Sequence, residues 1–282
     1  MDEPATMTGT LYVVATPIGN LDDFSARARD TLARVAVIAA EDTRTSRKLL
    51  PARADAVQWI ALHDHNESRT VERLLGLLRE GRDIALVSDA GTPLISDPGY
   101  RLVRAVRAAG ITVRPIPGAC ALIAALSVAG LATDRFWFEG FLPPRHAARR
   151  TRLTALADVD GTLGFYVPAR DLPAVLGDAV ASLGGEREAV VARELTKVFE
   201  TVLDGTLDDL AARVSDDADQ QRGEAVLLIA GRASEAASTR LDCALLAREL
   251  AAELPPARAA RVLTRVTGMA RREAFAMVEQ AR

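Results

Sequence analysis

Three short runs rich in glycine, proline and small polar residues stand out in the first part of the chain. They are Thr16-Pro17-Ile18-Gly19-Asn20, the longer Ser88-Asp89-Ala90-Gly91-Thr92-Pro93-Leu94-Ile95-Ser96-Asp97-Pro98-Gly99, and Pro117-Gly118-Ala119-Cys120. Each follows an apolar, β-branched run and so falls at the carboxyl end of a strand, where open parallel sheets bind ligands. None carries the G-x-G-x-x-G fingerprint of a dinucleotide site or the G-x-x-x-x-G-K-[ST] phosphate loop. Glycine used without phosphate recognition lets backbone groups come close to a flat or zwitterionic ligand. Singly, each run reads as an ordinary tight turn. Three at adjacent strand ends read as a binding site.

Four polar segments are the next candidates for chemistry. In Glu41-Asp42-Thr43-Arg44-Thr45-Ser46-Arg47-Lys48, the bases Arg44, Arg47 and Lys48 suit nucleic-acid phosphates. The same order, acids first and bases later, also suits a solvated helix start. His63-Asp64-His65-Asn66-Glu67 offers two metal ligands and no evident third, so no metal is expected. His65, Asn66 and Glu67 remain candidates for substrate contact or for helix capping. Arg145, Arg149, Arg150 and Arg152 occur within eight residues without an acid; with the preceding Gly140-Phe141-Leu142-Pro143-Pro144 they read as a mobile loop, and they suit RNA contact. Finally, Arg193-Glu194-Leu195-Thr196-Lys197 ends a buried-looking strand. There the choice lies between an Arg–Glu salt bridge and a basic Lys197, since lysine near positive charge can lose its proton and arginine cannot.

These residues need a frame. Apolar runs over residues 11–15, 35–39, 57–62, 84–87 and 111–116 alternate with helical periodicity over 25–34, 68–80 and 99–109, which predicts a doubly wound, mostly parallel sheet. Asp97-Pro98-Gly99 suits a helix start, with Asp97 as N-cap. A small-residue helix over 119–131 bridges to a second α/β lobe, with strands over 136–138, 162–167, 188–192, 198–203 and 225–230 and helices over 172–183 and 207–214. Helices over 241–254, 257–266 and 270–281, with Thr267-Gly268-Met269 between the last two, resemble a helix-turn-helix unit; packing on the body or on a partner subunit is the other reading. The expected divisions are 1–117, 118–233 and 234–282.

The formal net charge is −3, which excludes bulk electrostatic capture of nucleic acid and leaves that task to local basic segments. Cys120 and Cys243 are the only cysteines, too few for a disulfide framework or a thiolate cluster. No apolar run reaches the roughly 20 residues needed to span a bilayer, and residues 1–8 lack the features of a secretory signal. A cytoplasmic protein is expected.

Leu11 to Leu21, Ala40 to Arg44, His65 to Glu67, Ser88 to Gly99, Pro117 to Cys120, Phe138 to Pro143 and Arg193 to Lys197 together resemble the ribosomal RNA small subunit methyltransferase I family. That family is the RNA-modifying branch of the tetrapyrrole methylase superfamily. The resemblance covers nearly the whole chain. It implies a two-lobed tetrapyrrole-methylase-like α/β fold with a small C-terminal helical extension. It further implies a homodimer that takes S-adenosylmethionine into the cleft between lobes and methylates the 2′-hydroxyl of a cytidine in 16S RNA of the small ribosomal subunit. Carried over by position, Pro17, Ile18, Gly19, Asp89, Gly91, Thr92, Ala119 and Cys120 would line the cofactor. The Tyr166-Val167-Pro168 turn and Ile229-Ala230-Gly231 would close the site. Relatives that modify tetrapyrroles resemble G-x-G-P-G-D at the first turn, where Ala15 to Asn20 replaces most of the glycines and the acid. The cofactor should therefore be shared and the substrate not. A methylase of a small tetrapyrrole and a non-catalytic ribosome assembly factor are the competing readings. Glu67 and Lys197 are the leading candidates for the catalytic base, with Asp42 and His65 behind them.

Overall fold

The computed structural model describes residues 8–50, 55–63, 67–232 and 243–281. Residues up to Gly231 form one compact unit, and those from Arg232 onward form another. The first unit contains two five-stranded sheets. In the first sheet β1 (Leu11–Val14), β2 (Val37–Ala40), β3 (Gln58–Ala61), β4 (Ile84–Val87) and β5 (Val113–Ile116) are all parallel, in the order β3-β2-β4-β1-β5. All four residues of β2 and all four of β4 are buried, as continuous apolar runs in a sheet covered on both faces should be. Because the strands are parallel, their carboxyl ends share one edge. The three glycine-rich runs leave that edge from the neighbouring strands β4, β1 and β5.

Helices α1 (Ala26–Arg34), α2 (Thr43–Arg47), α3 (Glu67–Arg79) and α4 (Tyr100–Ala108) flank this sheet. Ser25 caps α1 by accepting the Ala28 N–H at 3.1 Å. The start of α4 differs from expectation. Its N-cap is Gly99, at φ 125°, and Asp97 caps nothing. A side chain at Gly99 would collide with Leu86, whose Cδ2 lies 2.8 Å from where a Cβ would sit. The chain therefore turns into α4 on glycine, and Asp97 is left for other work.

The second sheet runs β6 (Phe136–Phe141), β7 (Thr162–Pro168), β10 (Glu224–Ile229), β8 (Glu188–Arg193), β9 (Thr201–Thr206). β6 and β7 are parallel and the remaining pairs antiparallel. Helix α5 (Ala121–Val128) belongs to this lobe. Its Leu122, Ala125 and Leu126 pack with Val190, Ala192, Val226 and Leu228, and Gly164 makes room for Leu122, whose Cδ1 would lie 2.6 Å from an added Cβ. The opposite face is covered by α6 (His146–Ala155), α7 (Leu172–Leu183) and α8 (Leu207–Asp216), around Phe165, Leu176 and Leu210. A capping box, Thr206 with Asp209, starts α8. The strand expected over 198–203 begins three residues later, because Val198 and Phe199 stand exposed in the turn before β9. Tyr166-Val167-Pro168 ends strand β7 and is not a turn.

The segment expected to be a mobile loop contains α6, and its arginines are not equivalent. Arg149 is buried: its Nε lies 2.6 Å from Asp178 Oδ2, and its guanidinium also donates to the carbonyls of Pro143 and Pro144 at 3.5 and 3.3 Å. His146 Nδ1 sits 2.6 Å from the other Asp178 oxygen. Arg152 is held by Glu139. Arg145 and Arg150 are exposed. Arg149 is thus removed from the candidate RNA contacts, because its charge is spent inside the lobe.

The second unit consists of α9 (Cys243–Glu253), α10 (Pro256–Thr267) and α11 (Arg271–Gln280), packed around Ala247, Ala259, Leu263, Ala274 and Val278. Pro256 opens α10, and Gly268, in the left-handed region, closes it. Arg258, Arg261, Arg265, Arg271 and Arg272 are exposed. No helix among the described residues is long and apolar enough to cross a membrane.

A buried ion pair broken from one side leaves an uncompensated charge, at a cost of about 3–5 kcal/mol. Asp178→Ala should lose stability on that scale. Arg150→Ala, one residue along the same helix and exposed, should stay within about 0.5 kcal/mol of the parent. Urea denaturation of the two variants checks the contrast.

Candidate functional site

The ends of β1, β4 and β5 are sewn together by the backbone. Thr16 and Gly91 exchange two hydrogen bonds, at 2.9 Å from the Thr16 N–H and 3.1 Å from the Gly91 N–H. The Thr16 hydroxyl donates to the Ser88 carbonyl at 3.3 Å, and the Thr92 hydroxyl to the Ala119 carbonyl at 2.9 Å. Gly91 lies at φ 83°, a conformation that strains any residue with a side chain. Gly118 fits close under Ala15, whose Cβ would be 2.9 Å from an added Cβ. Three turns that read singly as punctuation form one floor.

Above that floor a cleft of about 700 Å³ opens between the two sheets. Six residues expected in the cofactor site line it: Ile18, Asp89, Gly91, Thr92, Cys120 and Tyr166. Four others do not. Pro17 is buried in the floor. Ala119 lines an adjoining, mostly apolar cavity of about 580 Å³. Gly19 is a point of lobe contact, where an added Cβ would sit 2.4 Å from Lys197 Cγ and 3.0 Å from Thr196 Oγ1. Ala230 is at the wrong end of its sheet. β10 runs antiparallel to β7 and β8, so Glu224 and Ala225, at its start, face the cleft with Pro168 and Glu194. Ala230, past its end, donates to Glu188 at the far edge.

The sequence reading missed Glu41, Ile95, Asp97, Phe141, Ala192, Leu195 and Val226, all of which line the cleft. Asp97 carried a signal that was read as helix capping. The apolar ones had none, since only the meeting of the sheets distinguishes them from core.

Acids dominate the wall of the first lobe. Burial pushes the Asp97 carboxyl up to about 6, helped by Glu41 and Asp89 and opposed by the Ser88 hydroxyl. Asp89 is also raised, first by desolvation, although it accepts the Asp42 N–H at 3.1 Å. Burial likewise raises the Tyr166 phenol, with Cys120 4.0 Å from its oxygen. Tyr166 meets Phe138 and Phe141 edge to face, at centroid distances of 4.9 and 5.7 Å. Leu94, Ser96, Glu194 and Thr196 all hold positive φ in the loops bordering the cleft, and such strain persists only where its surroundings impose it.

Lys197 does not fit the role of base drawn for it. That role needed an electropositive setting, and its Nζ instead lies 2.8 Å from Glu194. Glu194 also accepts the Glu224 N–H at 3.0 Å; desolvation works to raise its carboxyl, and Lys197, the Glu224 N–H and Arg193 together hold it lowered. Arg193 forms no bridge to Glu194; buried, it donates to Gln220 and to the Arg222 and Phe199 carbonyls. Among the remaining candidates, Arg44 is exposed but paired with Asp42 at 2.9 Å, which holds the Asp42 carboxyl down to about 2. Arg47 lies over the Trp59 ring at 5.7 Å, and Lys48 is exposed. His65 and Asn66 fall outside the described residues, as does the Glu67 side chain.

Known proteins resemble this chain closely. The family model for tetrapyrrole (corrin/porphyrin) methylases matches residues 10–211. A ribosomal RNA small subunit methyltransferase I from Xylella fastidiosa is 51% identical over 267 residues, covering 95% of this chain and 98% of its own. The protein of the same description from Pseudomonas aeruginosa is 51% identical over 263 residues, 93% of each chain. Among solved structures, uroporphyrin-III C-methyltransferase from Thermus thermophilus complexed with S-adenyl homocysteine shares the fold, with a TM-score of 0.54 at 17% identity over 79% of this chain and 97% of that one. The chain belongs to the tetrapyrrole (corrin/porphyrin) methylase family, and within it to the ribosomal RNA small subunit methyltransferase I family.

Proposed function

We propose that this protein transfers the methyl group of S-adenosylmethionine to RNA of the small ribosomal subunit, at the ribose 2′-hydroxyl of a cytidine in 16S RNA. The observation that carries the reading is the cleft itself, built by a chain half identical to relatives named for that reaction class. Its chemistry suits the cofactor. S-adenosylmethionine bears positive charge on sulfonium and ammonium, and Glu41 and Asp89 line the wall it would meet. Tyr166 and Phe141 offer aromatic surface, which attracts both a flat ring and a cation. Gly91 gives close backbone approach: an added Cβ would lie 3.4 Å from Ile18 and 3.7 Å from the Ala119 carbonyl. When bound, the cofactor supplies a methyl already activated for displacement. The chain's own residues then have to hold the nucleophile in line with it at near-contact distance, which is the largest part of such catalysis.

The RNA must be gripped elsewhere, because the cleft is acid-walled. Arg145 and Arg150 on α6, Arg44, Arg47 and Lys48 around α2, and the exposed arginines of α10 and α11 are the surfaces for phosphate contact.

Gly91→Val should abolish S-adenosylmethionine binding in calorimetry, through a branched side chain at positive φ on the floor. A folded variant with parental affinity would remove that loop from the site.

Mapping of 2′-O-methyl groups in ribosomal RNA from cells with and without the gene should show one cytidine modification lost with it. A purified protein that methylates a uroporphyrin and no ribosomal RNA would overturn the reading, as would RNA methylation that persists without the gene.

Arg145→Ala with Arg150→Ala should weaken RNA binding and flatten its salt dependence, since each lost phosphate contact removes a released counterion. Cofactor affinity should not change. RNA affinity equal to the parent's at every salt concentration would place the grip elsewhere.

A further inference from the structure

We propose that Asp97 accepts the proton of the attacking ribose hydroxyl. The inference rests on the reading above and goes beyond it, by naming the base. A ribose hydroxyl is a weak nucleophile, and a positioned base within reach of its proton is the usual remedy.

Two of the other acids that line the cleft already hold partners. Asp89 accepts the Asp42 N–H, and Glu194 is bound to Lys197 and to the Glu224 N–H. Among the described residues no basic side chain is paired with Asp97. The Ser88 hydroxyl lies beside it, and the titratable groups that act on it are Glu41, Asp89 and Tyr166. The raised phenol of Tyr166 keeps its proton near neutral pH and is not a competing base.

The backbone fixes where Asp97 stands. Leu94 and Ser96 both hold positive φ just before it. Gly140, at the register shift in β6, brings the second lobe so near that an added Cβ would lie 3.0 Å from Ser96 Oγ. On the other side Gly99 turns the chain over Leu86. Asp97 is therefore pinned from both lobes on the wall of the cleft, which is the placement a base needs and a helix cap does not.

The balance of the step is simple. The ribose oxygen forms a bond to the methyl carbon, the carbon–sulfur bond breaks, and its electron pair stays on sulfur, which becomes neutral. The hydroxyl proton passes to the Asp97 carboxylate and then to water. A carboxyl raised to about 6 is still ionised at neutral pH, and it is a stronger base than an exposed aspartate. The sign follows: activity should be present above that value and be lost as pH falls through it.

The test uses full-length protein and small ribosomal subunits lacking the modification. Single-turnover methylation, cofactor affinity by calorimetry and thermal midpoint are measured on wild type, Asp97→Asn and Asp97→Glu between pH 5 and 8. For Asp97→Asn the expected result is a rate lower by at least about 100-fold, with cofactor affinity within a few-fold and no fall in midpoint. The wild-type rate should rise through an inflection near 6, absent from the Asn variant. Asp97→Glu should keep an inflection at reduced rate. An Asn variant that keeps the rate and the inflection overturns the assignment. So does one whose cofactor affinity falls as far as its rate, which would make Asp97 a cofactor ligand. Wild type without activity on the subunits would instead overturn the functional reading, and the assignment with it.

Discussion

Two backbone hydrogen bonds between Thr16 and Gly91 tie the turn after β1 to the loop after β4. They satisfy backbone groups that would otherwise be left unpaired where strands end, a costly condition for any buried segment. With Thr92 donating to Ala119, they also reach the turn after β5. The result is a continuous floor of main chain across three strands, with small side chains that let a ligand lie against it. Glycine at position 91 follows from this arrangement, because the bridge requires a positive φ there. The family pattern of these loops is thus a requirement of geometry before it is one of recognition.

The second lobe meets that floor through strand direction. β6, β7 and β8 all deliver their carboxyl ends to the cleft, and β10, running against them, delivers its beginning. Contact between lobes is made where glycine permits it, at Gly19 under Lys197 and at Gly140 beside Ser96. The ion pair of Lys197 with Glu194 sits at one of these contacts. The Lys197 stem thus packs against Gly19 of the first lobe, while its charge is balanced within its own lobe.

The first sheet was legible in the sequence because its inner strands β2 and β4 are buried throughout and read as unbroken apolar runs, and the glycine-rich turns marked strand ends. Asp97 was misread because Asp-Pro before a helical pattern is a strong start signal, and the pattern cannot reveal that Gly99 makes the turn. Arg149 was misread for a related reason. Four arginines in eight residues look like one basic patch, yet α6 turns Arg149 inward to Asp178, a residue on another helix. Ala230 failed on topology: an alternating strand pattern carries no direction relative to its neighbours. Leu195 and Val226 were invisible, since an apolar residue lining a cleft and one lining a core have the same sequence signature.

Charge divides the molecule by task. The cleft wall gathers Glu41, Asp89 and Asp97, an environment that attracts a cation and repels a phosphodiester. Exposed bases lie outside the cleft, among them those of α2, α6 and the separate helical unit. On the reading proposed above, this acidic wall disfavours entry of a polyanion backbone first, so the target nucleotide would enter sugar first with its phosphates outside. Burial in that wall, with the charges of Glu41 and Asp89 adding to it, is why the Asp97 carboxyl holds its proton more firmly than an exposed one. Attraction of a cationic cofactor and the raised carboxyl of Asp97 both depend on this partly closed space, the second through burial first and the charges of Glu41 and Asp89 after it.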